Sequence, residues 1–66
     1  MKIAAFTRTE LDYLDTVCNF TEDERQLFWL RSQDTALEQC AEEMNRSVDS
    51  IKQLSQRINA KIEREV

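Results

Sequence analysis

Sixty-six residues with no glycine, proline or histidine, and a formal net charge of −4, make one domain near the lower size at which apolar burial alone can fold a chain. With 41% hydrophobic and 33% charged residues, the composition is that of a folded helical domain rather than a disordered tail. The same counts exclude much chemistry: without histidine, a glycine-rich phosphate loop or room to enclose a pocket, no catalytic residues, cofactor or small-molecule substrate are expected.

Cys18 and Cys40 lack the further ligands a metal site needs, so no metal is expected. Each falls on an apolar helix face, which predicts buried free thiols in a reducing compartment, a single disulfide being the alternative. The opening MKIAAFTRTE is too short an apolar run for a signal peptide or a membrane span, and a cytoplasmic protein with no membrane partner is expected.

In chain order, Met1 to Phe6 reads as a short lead whose Ile3 and Phe6 can cover a core edge. Thr7 and Glu10 form a capping box that opens a first helix, about 8–18, with Leu11, Leu14 and Cys18 as its buried stripe, Val17 beside them and Tyr13 at the border. Asn19 ends it. A second capping box, Thr21 with Glu24, opens a helix over about 22–33, and its carboxylates Glu22, Asp23 and Glu24 suit the positive end of the helix dipole better than they suit a metal or acid-base site. Leu27, Phe28 and Leu30 point inward. Trp29 lies about 100° round from each neighbour, which makes it either a border residue over the first helix or an apolar anchor for a partner subunit.

Thr35 and Glu38 predict a third capping box, for a helix over about 36–44 with Leu37, Cys40, Ala41 and Met44 inward and Glu38, Gln39, Glu42 and Glu43 in solvent. The last helix, about 48–65, carries the stripe Ile51, Leu54, Ile58, Ile62. That stripe is close to a coiled-coil seam but too short to be one alone, so its first half is expected to close the core while Ile62 and Val66 remain for a partner, as in a homodimer. Between these two helices Asn45 can enter the left-handed conformation and Ser47 can cap the second of them. The expected fold is all-α, a small four-helix domain containing a helix-turn-helix motif over residues 37–56.

From Phe20 to Ile62 the chain resembles the helix-turn-helix domains of the sigma-factor region four and quorum-sensing-regulator type. FTEDERQLFWLR is similar to that family's opening helix, AEEMNRS to its first motif helix and turn, and SVDSIKQLSQRINAKI to its reading helix. Two departures stand out. Asp34 and Asn45 occupy positions where the family uses glycine, and Arg46 stands where it places an apolar residue under the turn, a spot the arginine stem could still cover.

The resemblance implies DNA binding, and the charge distribution is compatible with it: Met1 to Asn45 carries four basic and ten acidic residues, a net of −6, whereas Arg46 to Val66 carries five basic and three acidic, a net of +2. The expected function is that of a transcriptional regulator whose last helix reads the major groove of double-stranded DNA. Ser47, Ser50, Lys52, Gln53 and Gln56 would lie nearest the bases, with Asp49 able to accept from cytosine, and Arg46, Arg57 and Lys61 would hold phosphates. About three or four neutralised phosphates give a log-log salt slope of only roughly −3 to −4 per subunit, so a second subunit or another protein, such as RNA polymerase or another regulator, is expected to assist. The alternative is an acidic protein-interaction module that keeps the fold without DNA affinity, favoured by a pI near 4.7 and by Arg46 at the turn.

Overall fold

A computed structural model describes residues 2–65. A single 3-10 turn, Ile3–Ala5, precedes four α-helices: α1 (Arg8–Val17), α2 (Glu22–Ser32), α3 (Leu37–Met44) and α4 (Val48–Glu65), with no strand among the described residues. Helix ends fall within a residue of the sequence expectation, and Val66 lies outside the described residues.

Local chemistry sets these boundaries. Thr7 Oγ1 accepts from the Glu10 amide at 3.2 Å while the Glu10 carboxylate accepts from the Thr7 amide at 2.8 Å, and Thr21 and Glu24 repeat the exchange at the start of α2. The third expected box does not form: Ala36, not Thr35, is the N-cap of α3, and no side chain caps it. The Thr35 amide, which the box would have given to Glu38, goes to Leu30 O at 3.3 Å, and the Thr35 carbonyl accepts from the Arg31 guanidinium and weakly from Cys40 Sγ, tying the loop down.

Asn19, Asp34 and Asn45 hold φ of 52°, 61° and 55°. At the last two, the helix closes by a pair of wrapped bonds: Thr35 N–H to Leu30 O with Asp34 N–H to Arg31 O, and Arg46 N–H to Ala41 O with Asn45 N–H to Glu42 O. In a chain without glycine, these short polar side chains accept the left-handed backbone at modest cost, and by Val48 the chain is helical again.

The core is one cluster. Leu27 and Phe28 of α2, Cys40 of α3 and Ile51, Ile58 and Ile62 of α4 are fully buried, joined by Leu11, Leu14, Cys18, Phe20, Ala41, Leu54 and Ile3. Each large aliphatic or aromatic side chain so placed contributes about 1.5–3 kcal/mol of transfer free energy. Helix α2 is central: it packs most extensively on α4 and also touches α3 and the 3-10 turn. Enclosure on several sides explains why Trp29 and Leu30, off the main stripe, are still partly covered. Trp29 meets Phe28 edge-on at 5.4 Å, and Arg8 of α1 lies 5.0 Å over its ring, a border position over the first helix.

Ile62 corrects an expectation. It is completely buried within the subunit, so the α4 stripe closes the core along its whole length and Ile62 is not held out for a partner. The helix is long because α2 and α4 pack along one another, not because it continues into a seam. Cys18 and Cys40 are both buried and free, and burial is the main reason each thiol sits above its ordinary value.

Candidate functional site

Helix α4 turns its apolar stripe inward, and the 3.6-residue period then fixes which residues face out: Asp49, Lys52, Gln53, Gln56 and Arg57 are all exposed. Ser50 is partly covered, and its amide donates to Ser47 Oγ at 3.2 Å in the expected helix cap. The Ser47 hydroxyl, once it has accepted that bond, still has its own proton to donate outward. Lys52 and Arg57 make no salt bridge among the described residues, and the amides of Gln53 and Gln56 have no hydrogen-bond partner there.

The other basic residues that were expected to hold phosphate are engaged. The Lys61 ammonium pairs with Glu24 and reaches the Asn19 carbonyl at 3.4 Å, and it lies 5.9 Å from the centre of the Phe20 ring. Its side chain is 25% exposed, whereas the Glu24 carboxylate is 4% exposed. Lys61 is therefore a structural cation facing α2, not one held out to phosphate, which corrects its expected role. Burial alone would raise the Glu24 pKa. The hydrogen bond from Lys61, the Thr21 amide and the Lys61 charge together outweigh burial and hold the carboxyl below its ordinary value.

Sequence order gave no sign of this pair, whose members are 37 residues apart. One signal was present: three residues after Ile58 and one before Ile62, Lys61 sits about 60° from the stripe centre at Ile58, whereas Arg57 sits about 100° away. A lysine that close to a buried row is placed to run its stem along the core and bring its head to an internal carboxylate.

Arg46 also departs from expectation. Its guanidinium pairs with Asp23, in the first turn of α2, so the turn between α3 and α4 is tied back to α2. On its other side, Arg46 shares an open hollow of about 490 Å³ with Glu38, Ala41, Glu42, Asn45, Ser47 and Val48. Among the described residues it is the one cation lining that hollow, and the carboxylates Glu38 and Glu42 border the start of α4. Carboxylates of α2 and α3 thus flank the beginning of the outward face, while the next two turns of α4 stay clear of intramolecular pairing.

Among the described residues no cluster of histidine, cysteine or carboxylate side chains could hold a metal ion, and no helix is long and apolar enough to cross a membrane. Comparison of the chain with protein-family models, curated proteins and solved structures gives no match.

Proposed function

We propose that the protein is a small DNA-binding module, a regulator of transcription acting in the cytoplasm, whose α3, turn and α4 work as a helix-turn-helix and whose α4 enters the major groove. One observation carries this proposal: Lys52, Gln53, Gln56 and Arg57 line the exposed side of α4 without salt-bridge or hydrogen-bond partners among the described residues, while Arg8, Arg25, Arg46 and Lys61 are each paired to a carboxylate. Glutamine and lysine are the residue types that bond base edges, and arginine at the next turn suits a phosphate. The short turn, closed by Asn45 and restarted by Ser47, supports the same reading, because it lets a second helix start without a long connector.

Removing Lys61 and internally pairing Arg46 leaves about two cations for phosphate, so the salt slope falls to roughly −2 per subunit and a lone subunit binds weakly. Two subunits, or a protein partner, would restore useful affinity. A fluorescence-anisotropy titration of a labelled duplex over a range of salt tests this. Binding that weakens with that slope, and is abolished by Lys52→Glu, agrees; no binding at low salt, even at high protein concentration, refutes it.

A second reading is motivated by Glu38 and Glu42 at the mouth of α4. Carboxylates there repel a phosphate backbone and would suit a basic protein surface, making the domain an acidic interaction module. Under that reading Glu38→Lys combined with Glu42→Lys disrupts assembly with the basic partner, and Lys52→Glu leaves it intact.

A further inference from the structure

We propose that Asp23 is an internal competitor for the Arg46 guanidinium, an autoinhibitory ion pair that holds this cation away from a DNA phosphate when the α3–α4 turn docks. The inference rests on the DNA-binding reading and adds to it a regulation of that surface.

Four ion pairs hold carboxylates against cations among the described residues, and they differ in kind. Arg8–Asp12 is local to α1, and Arg25–Asp15 fastens α2 to α1 at 2.8 Å. In Lys61–Glu24 the carboxylate is enclosed, so Lys61 cannot leave without stranding the Glu24 charge in the interior. Arg46–Asp23 spans α2 and the turn that precedes α4, and both of its side chains stay open to water, 39% and 47% exposed. Solvent-exposed pairs of this sort shift an equilibrium by up to about fivefold, so exchange of Asp23 for another anion costs little.

The replacement anion that fits is a phosphodiester. A guanidinium binds phosphate by two parallel bonds as readily as it binds carboxylate, and a duplex presents a continuous row of such groups. Position favours the exchange as well. The Arg46 backbone is pinned by its amide bond to Ala41 O at 2.9 Å, one residue before the Ser47 cap, so its side chain swings from a fixed base beside the start of α4. Glu38 and Glu42 line the same hollow as Arg46, and Asp23 is the carboxylate it pairs with. While that pair is closed, the turn offers an approaching duplex no unpaired cation among the described residues; where a phosphate takes the guanidinium instead, Asp23 returns to water.

The test is a mutant cycle by anisotropy on one duplex at about 50 mM salt, where phosphate contacts are strong. Asp23→Asn is expected to tighten binding about three- to fivefold and to steepen the log-log salt slope by about 0.9, the value of one added phosphate contact. In the double variant Asp23→Asn with Arg46→Ala both gains vanish, and Asp12→Asn, which opens the local α1 pair, gives neither. Far-UV circular dichroism confirms that each variant keeps its helices. Equal tightening with and without Arg46 overturns the proposal, as does wild-type binding that Asp23→Asn leaves unchanged in both affinity and slope. Absence of binding by wild type and Asp23→Asn alike overturns the DNA-binding reading itself, and the proposal with it.

Discussion

Lys61→Met removes the ammonium from the Glu24 pair and keeps an unbranched stem of similar length against the core. Glu24, 4% exposed on its side chain, is left with the Thr21 amide at 2.9 Å as its remaining donor. Breaking a buried pair on one side costs about 3–5 kcal/mol, and the retained amide bond, together with the partial exposure of Lys61, brings the expected loss to about 2–3 kcal/mol. A domain of this length is stable by roughly 3–10 kcal/mol, so the variant loses a large share of its stability and its Tm falls by about 10–20 °C. Glu24→Gln in the Lys61→Met background should recover most of the loss, since the neutral amide is cheaper to bury unpaired.

The same pair sets a pH dependence. The folded Glu24 carboxyl titrates below its ordinary 4.5, so its stabilisation is fully present above that value and is lost as pH falls through the lower folded one. The stability difference between wild type and Glu24→Gln is therefore flat near neutrality and shrinks in acid below about pH 4.5. Urea melts followed by circular dichroism measure both effects. A loss under about 0.5 kcal/mol for Lys61→Met would refute the claim that this cation is structural.

Three further outcomes are expected from the packing. Ile62→Ala, at a fully buried site, should destabilise the domain by about 2–5 kcal/mol in thermal melts at any protein concentration, whereas a residue reserved for a partner would change association instead. Asn45→Ala forces an unfavourable left-handed residue into the α3–α4 turn and should cost about 1–2 kcal/mol by chemical denaturation, while Asn45→Gly should come within about 0.5 kcal/mol of wild type or exceed it. Cys18 and Cys40, with thiols raised mainly by burial, should resist alkylation in the folded protein and react together once denaturant unfolds it, as mass spectrometry of the adducts will show.

The features legible in the sequence were local ones. The boxes at Thr7 and Thr21, the left-handed Asn45, the Ser47 cap and the apolar period of α4 each depend on groups within a few residues, and each holds in the structure. The Thr35 box failed although its spacing was right, because the wrapped end of α2 takes the Thr35 amide for the Leu30 carbonyl, so that amide is not there for Glu38 and the N-cap falls on Ala36. The candidate surface divided in the same manner. Lys52, Gln53, Gln56 and Arg57 face outward as the helical period requires, but nothing local to Arg46 announces Asp23 as its partner, and the nearness of Lys61 to the buried row points inward without naming Glu24. Those two adjacent carboxylates look like ordinary helix-start residues until the approach of α4 gives Glu24 its partner and the approach of the turn before it gives Asp23 its own.

Duplex DNA titrated into isotopically labelled protein, with backbone amide shifts tracked residue by residue, probes the central claim most directly. At about 50 mM salt the largest changes should cluster from Ser47 to Arg57, with little movement in α1. Shifts confined to α1 and α2, or none at saturating duplex, would contradict a groove-reading role for α4.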